Sequence, residues 1–268
     1  MVHKRKAGPT AYWVQGKGPA IVFVHGNGST HDTWQGVIEY LTDDFSCISY
    51  DLRGHGNSDP APDELTLDRL VEDLEALRTE LSLEQAFFVG HSLGSFIAAA
   101  YAHRYPEHVS RLCLMAAPVD RNEQDIRSNA KLIERLQHEG VAETMSSLVK
   151  LWYTDAFVTV HPGALQQRLE QLTSINEQVF IDTYKLYSQT EIGLWLNDIA
   201  MPTLIMTGEY AKGSGADVAK HLSDIVEGSK LIIFKEMKNG ILTEIPDRVA
   251  KELDAFYRTA HNTVASPL

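Results

Sequence analysis

The stretch AFFVGHSLGSFIAAA, residues 86–100, decides the fold. An apolar run is followed by GHSLG at 90–94 and then by a second, alanine-rich apolar run. This order is typical of a buried strand, a sharp turn and a helix, with a serine at the centre of a G-x-S-x-G sequence. The flanking glycines permit the tight turn and let the helix pack close to the strand. The pattern predicts that the Ser92 hydroxyl is exposed at a helix N-terminus, where the Leu93 amide can bind a developing negative charge.

Along most of the chain, short apolar runs alternate with segments of helical period. That alternation predicts an α/β fold, with a mostly parallel, twisted sheet covered by helices on both faces. The predicted strands are 11–15, 20–24, 45–50, 86–89, 111–115, 203–207 and 230–234. Between about 120 and 198 the signals are helical, at 129–138, 141–152, 164–172 and 177–188. We therefore predict a core formed by 1–119 and 199–268, with a helical cap inserted at 120–198.

Composition excludes several classes of function. The chain has 268 residues and a net charge of −12, which argues against nucleic-acid binding. No apolar run approaches the roughly 20 residues of a membrane span, and the basic N-terminus is not followed by the apolar region of an export signal. Cys47 and Cys113 lie in apolar runs and are predicted to be buried thiols. We expect a cytoplasmic protein with a small-molecule substrate, no nucleic-acid or membrane partner, and an oligomeric state that the sequence leaves open.

Two further loops follow predicted strands. The segment FVHGNGS, 23–29, is a glycine-rich loop in which the Asn27 amide is the second candidate oxyanion donor. The segment DLRGHGNSD, 51–59, contains Asp51 and Arg53, which we interpret as loop-fixing ion-pair residues and not as reactants.

The three loops, in this order and spacing, resemble those of the α/β-hydrolase family of capped esterases, lactonases, C–C hydrolases and haloperoxidase-like enzymes. The resemblance covers essentially the whole chain, with the cap as its most divergent part. It implies an α/β-hydrolase fold, Ser92 as nucleophile, and an acid and a histidine that follow the serine in the chain. One fold hosts many chemistries, so the resemblance is weak evidence for a substrate.

Both partners of the serine are missing from their positions in the family pattern. In GEYAKGS, 208–214, the position of the triad acid holds Ala211. The triad histidine normally precedes a proline by seven residues, and counting back from Pro246 reaches Asn239. An amide cannot act as general base, and losing the histidine in comparable triads costs on the order of 10⁶ in kcat. We therefore expect this chain to be nearly inactive as a triad hydrolase.

No other residue has motif support as a replacement. Glu209 is two positions from Ala211, and we expect it to point elsewhere. We expect His25 and His91 to be loop and packing residues, and His221 to lie on the surface.

Two explanations of the missing partners stay open. One is deliberate substitution of a working enzyme, which the intact surroundings and the retained Ser92 favour. The other is natural loss of hydrolase chemistry, since two losses occur where one would suffice.

The expected function is hydrolysis of small, mainly apolar carboxylic esters, lactones or thioesters through Ser92. The predicted substrate-binding residues are His31, Trp152, Tyr153 and Tyr187. Neither a cofactor nor a metal is implied, since there is no G-x-G-x-x-G fingerprint, P-loop or metal-ligand cluster. The alternatives are a naturally non-catalytic ligand-binding protein and a cofactor-free lyase or oxygenase on the same fold.

Overall fold

An eight-stranded sheet forms the centre of the computed structural model, which describes residues 4–61 and 65–259. The residues at 1–3 and 260–268, included in the predicted core, lie outside the described part. The strands are β1 (Arg5–Ala7), β2 (Thr10–Gln15), β3 (Ala20–Val24), β4 (Ser46–Tyr50), β5 (Ala86–His91), β6 (Val109–Met115), β7 (Thr203–Gly208) and β8 (Lys230–Phe234). Their order is β1-β2-β4-β3-β5-β6-β7-β8. The pairs β1/β2 and β2/β4 are antiparallel, and the other neighbours are parallel.

The predicted fold class is confirmed, and the seven predicted strands are present. Their ends agree with the prediction to within two residues. The exception is β1, which the sequence analysis did not predict. This strand has three residues, of which Arg5 and Lys6 are exposed, so it has no apolar run to reveal it.

Helices cover both faces of the sheet. They are α1 (Gln35–Ile38), α2 (Leu67–Glu80), α3 (Leu93–Arg104), α4 (Glu123–Ser146), α5 (Asp155–Val160), α6 (Ala164–Thr173), α7 (Glu177–Gln189), α8 (Gly193–Leu196), α9 (Ala216–Ile225), α10 (Ile241–Glu244) and α11 (Pro246–Thr259). On one face, α1 and α11 pack around Val37 and Leu253. On the other face, α2, α3 and α9 bury Leu74, Phe96 and Leu222.

The segment between β6 and β7 folds into helices α4–α8, and we call residues 120–198 the helical insertion. It has its own apolar core, which includes Leu136, Met145, Leu172 and Phe180. The helices predicted at 129–138 and 141–152 correspond to two helical segments of α4, which are divided by a kink at the non-helical residue Gly140. A 3₁₀ turn at Val149–Trp152 forms the end of the second predicted segment. Gly140 has φ +83°, and Glu177 Oε1 accepts a hydrogen bond from the Val141 amide at 3.0 Å. This bond satisfies an amide that the kink frees from the helix.

The turn between β5 and α3 is a tight junction of the core. Ser92 has φ 55° and ψ −119°, and its amide donates to the Met115 carbonyl at 2.9 Å. A Cβ at Gly90 would lie 2.2 Å from the Gly94 carbonyl oxygen, and one at Gly94 would lie 2.1 Å from the Val24 carbonyl oxygen. Both glycines are therefore required by close backbone contacts. Ser95 Oγ, 2.8 Å from the carbonyl oxygens of Gly90 and Met115, joins the turn to the neighbouring strand.

We expect Gly94→Ala to lower the free energy of unfolding by roughly 3 kcal/mol or more, because the new methyl group must push backbone apart. Gly163→Ala is the matched control, since nothing lies within 4 Å of a Cβ at that position. The control should change stability by no more than about 0.5 kcal/mol. Urea denaturation of both variants measures the difference, and equal stabilities would contradict the close-contact argument.

Candidate active site

Four loops meet at one edge of the sheet, because the carboxyl ends of parallel strands share that edge. They follow β3, β5, β7 and β8, and they contain Asn27, Ser92, Ala211 and Asn239. A cavity of about 810 Å³ lies between this edge and the helical insertion. Asn27, Ser92 and Asn239 line it, together with residues of the insertion. A cavity of this size holds a small organic molecule.

The predicted oxyanion donors flank the serine. A Cβ at Gly26 would lie 3.1 Å from Ser92 Cβ, so the β3 loop passes directly beside the nucleophile position. The Leu93 amide is the first of α3 and has no preceding helical turn to supply an acceptor. The Asn27 side chain is bound by α7, because Thr183 Oγ1 donates to Asn27 Oδ1 and Asn27 Nδ2 donates to the Phe180 carbonyl at 3.4 Å. The insertion therefore holds the residue whose amide is the second donor.

The positions of the triad acid and histidine also lie together. Asn239 Oδ1 accepts a hydrogen bond from the Lys212 amide at 3.0 Å, so the side chain at 239 reaches the residue directly after Ala211. The Tyr210 amide donates to the Met237 carbonyl at 2.8 Å and joins the two loops. Ala211 is buried. These contacts bring together the two positions that the family pattern assigns to the acid and the histidine.

The acidic neighbours of these positions are engaged elsewhere. Glu209 Oε2 accepts from the Glu236 amide at 2.9 Å, at a turn where Glu236 has φ +62°. Glu244 accepts hydrogen bonds from the amide and the hydroxyl of Thr154 in the insertion. Neither carboxylate is therefore free to serve as a replacement acid.

Three of the histidines that the sequence offered as replacement bases, His25, His91 and His221, have other surroundings in the described part of the chain. His25 is fully buried, and its Nε2 accepts from the Leu52 amide at 2.9 Å. His221 Nε2 lies 2.7 Å from Asp120 Oδ2, at the start of the insertion. His91 lines the cavity, and burial together with the positive charge of Arg168 lowers its pKa to about 4. The side chain that the serine hydroxyl contacts is the phenol of Tyr187, a poor general base.

Three of the predicted substrate-binding residues, Trp152, Tyr153 and Tyr187, line the cavity. The prediction for His31 is corrected, because the described cavity wall does not include it. Its ring stacks on Trp13 with centroids 3.3 Å apart, and its Nδ1 lies 2.8 Å from Asp51 Oδ1. His31 therefore serves the loops behind the cavity.

Asp51 and Arg53 fix loops with separate partners and do not pair with each other. Burial alone would raise the pKa of Asp51, but hydrogen bonds from the His31 side chain and from the amides of His31 and Asn57 keep that pKa below its usual value. Arg53 Nε donates to Asp73 Oδ2 at 2.8 Å. Each residue therefore fixes its loop through a partner outside the segment 51–59.

Among the cavity residues that sequence reasoning missed is Arg168 on α6. Its Nη1 donates to the Gly28 carbonyl at 2.9 Å, in the same loop as Asn27. No motif marks this arginine. Within residues 4–61 and 65–259, no group of three or more His, Cys, Asp or Glu side chains is arranged to hold a metal ion. None of the described helices combines the length and the apolarity needed to cross a bilayer.

Comparison with known proteins identifies the family. A family model described as alpha/beta hydrolase fold matches residues 19–179, and this chain therefore belongs to the α/β-hydrolase family. Relatives include 3-oxoadipate enol-lactonase 1 of Acinetobacter baylyi, 27% identical over 71% of this chain and 70% of that protein. The enol-lactonase of Burkholderia xenovorans has the same fold, with a TM-score of 0.87, 19% identity and coverage of 96% of this chain and 100% of that one. An uncharacterised protein of Mycobacterium tuberculosis is 37% identical over 40% of this chain, and the match spans only 31% of that relative.

We expect the free energy of unfolding to fall as the pH drops from 7 to 5, because buried histidines must accept protons on unfolding. Burial lowers the pKa of His55 to about 4 from an ordinary value of 6.5. Between these values the unfolded chain binds more protons than the folded one, so stability is complete above pH 6.5 and declines toward pH 4. His55 contributes up to about 2 kcal/mol to this loss.

The measurement is urea denaturation at pH 7, 6 and 5. His55→Gln should make the decline shallower, since its side chain does not titrate. A decline that the substitution leaves unchanged would exclude His55 as a source of the pH dependence.

Proposed function

We propose that this chain has the site of a serine hydrolase for small, mainly apolar carboxylic esters, lactones or thioesters, and that it lacks the acid and base needed for turnover. The observation that carries the proposal is the hydrogen bond between Asn239 Oδ1 and the Lys212 amide. It aims the side chain at 239 toward the 211 loop, as an acid–histidine pair requires, at the cavity where Ser92 lies. The names of the relatives, an enol-lactonase among them, agree with this class of reaction.

With an acid at position 211 and a histidine at position 239, the proposed reaction has the following steps. The Ser92 oxygen attacks the carbonyl carbon while an imidazole at 239 takes its proton, and an acid at 211 orients that imidazole. The amides of Asn27 and Leu93 bind the negative oxygen of the tetrahedral intermediate. The imidazole then protonates the leaving alcohol, and water repeats the sequence on the acyl-serine. With Asn239 in place the first proton has no acceptor, so Ser92 stays a neutral, weak nucleophile.

The helical insertion is proposed to act as a cap that closes this site from solvent. It contacts three of the four loops, and Tyr187 of the insertion meets Ser92 in the β5 loop. The Gly240 amide donates to the Trp152 carbonyl at 2.7 Å, next to Asn239, and Arg168 holds the β3 loop through Gly28. Water exclusion by such a cover strengthens the electrostatic interactions inside the site.

A second candidate is a non-catalytic binding protein. The observation in its favour is that Asn239 makes a well-formed hydrogen bond, so that asparagine is accommodated and leaves no unpaired oxygen at that position. The cavity would then bind a ligand without converting it.

We expect the double substitution Ala211→Asp/Asn239→His to raise the hydrolysis rate of 4-nitrophenyl esters of short fatty acids by at least about 10³-fold. This estimate is conservative against the roughly 10⁶ that a triad loses with its histidine. Adding Ser92→Ala to the double variant should return the rate to that of the parent chain. The matched control is Ala211→Asp/Asn239→Gln, which supplies the acid but no titratable base, and it should stay at the parent rate.

Rates of all four proteins are measured by release of 4-nitrophenolate, with thermal unfolding as a check on folding. If the folded double variant hydrolyses no ester faster than the Gln control does, the hydrolase proposal is wrong and the binding protein is favoured. A gain that survives Ser92→Ala would also contradict the assigned nucleophile.

A further inference from the structure

The cavity wall has the opposite charge balance to the whole chain. The protein carries a net charge of −12, yet its cavity is lined by five cationic side chains and only two carboxylates. The cationic residues are Arg121, Lys131, Arg135, Arg168 and Lys212. A cavity with a cationic surplus in an acidic protein attracts anionic ligands.

The arginines of this wall differ in how their charge is balanced. Arg135 Nη2 lies 2.9 Å from Glu139 Oε2, so its charge is paired on the same helix. Arg121 lies 3.7 Å from Glu191 Oε2 and donates to the carbonyls of Thr190 and Tyr187. Arg168, in contrast, forms no ion pair with a carboxylate in the described part of the chain.

One nitrogen of the Arg168 guanidinium, Nη1, donates hydrogen bonds to other residues, and the other two donate none to the residues that the structure describes. Its Nη1 donates to the Gly28 carbonyl at 2.9 Å and to Gln171 Oε1 at 3.2 Å, while its guanidinium lies 5.5 Å from the centre of the Trp152 ring. Among the described residues, Nε and Nη2 have no hydrogen-bond acceptor. A guanidinium carries five N–H donors in a fork that matches a carboxylate. The fixed fork therefore has free donors at the cavity.

The charge of Arg168 also acts close to the nucleophile. Burial lowers the pKa of Arg168, which reflects the free-energy cost of placing this cation among apolar groups. The same cation contributes to the lowered pKa of His91, the residue directly before Ser92. A ligand that reaches Ser92 is thus within the field of Arg168.

We propose that Arg168 binds a carboxylate group of the ligand, so that the cavity selects molecules with a carboxylate at one end and an ester or lactone carbonyl at the other. That the carbonyl belongs to a hydrolysable ester rests on the proposed function; the carboxylate site does not. The anion supplies the partner that Arg168 lacks, and its hydrogen bonds are charge-assisted.

A competing role for Arg168 is to tether the β3 loop through Gly28 without touching a ligand. The two roles predict different patterns of binding. A tether would support neutral and anionic ligands equally, whereas a carboxylate site would favour the anion alone.

The test is isothermal titration calorimetry with the chain as it stands, so that no catalysis is needed. Monomethyl adipate is compared with dimethyl adipate, which differs by a methyl group that removes the charge, and monomethyl succinate and glutarate vary the spacing. We expect at least one monoester to bind roughly 10- to 100-fold more tightly than its dimethyl counterpart. Arg168→Gln should abolish most of this preference, and Arg168→Lys should retain part of it because a point charge remains.

Arg135→Gln is the matched control, since it removes a paired cation from the same wall and should leave the preference intact. The proposal is overturned if monoesters and dimethyl esters bind equally, or if neither binds. It is also overturned if the preference survives Arg168→Gln, or if that variant loses affinity for both kinds of ester equally, as a tether would. Thermal unfolding confirms that each variant is folded. The outcome is independent of the hydrolysis test, because each measurement can succeed where the other fails.

Discussion

The backbone at Ser92 is the constraint on which the rest of the site depends. A residue with φ 55° and ψ −119° lies outside the regions that side chains favour, and such a conformation persists only where the surroundings enforce it. Here the conformation is enforced at Gly90 and Gly94, where a Cβ would clash with backbone atoms. The hydrogen bond from the Ser92 amide to the Met115 carbonyl of β6 enforces it as well. The strained turn places the serine side chain at the start of α3 and leaves the Leu93 amide free for an anion. Catalytic geometry is thus a consequence of core packing.

A second constraint comes from the helical insertion, which contacts the site from above. Thr183 and Phe180 form hydrogen bonds with the Asn27 side chain. Arg168 donates a hydrogen bond to the Gly28 carbonyl, and the Trp152 carbonyl accepts one from the Gly240 amide. These bonds join the insertion to the loop that follows β3 and to the loop that follows β8. A movement of α6 or α7 would therefore change the position of the donor amide as well as the access to the cavity. The closing of the site and the arrangement of its donors are physically coupled.

The strands and the serine motif could be predicted because they depend on neighbouring residues in the sequence. The surroundings of His31 and Arg168 could not, because they depend on residues far away in the chain. The inner parallel strands β3, β5, β6 and β7 are mostly buried and form apolar runs, so the sequence reveals them. Strand β1 has only three residues and two exposed cations. The position of Ser92 followed from the G-x-S-x-G sequence between a strand and a helix, whereas Ala211 and Asn239 were identified through the resemblance to the family pattern. The ring of His31 could not be placed, since its neighbours Trp13 and Asp51 come from other parts of the chain. Arg168 gave no signal, because its role depends on a carbonyl 140 residues away.

In the proposed hydrolase site, the missing acid and histidine remove proton transfer and leave the binding interactions. Proton transfer needs a titratable base beside the serine, and the amide of Asn239 cannot supply it. Binding of a carbonyl in the oxyanion hole, burial of an apolar chain and neutralisation of an anion do not need that base. A site with these remaining interactions stabilises a bound ester without lowering the barrier for the attack of a neutral hydroxyl, because the transition state gains little that the ground state lacks. In the proposed hydrolase site, affinity and turnover are therefore separable, and a ligand that binds well would persist unchanged in the cavity.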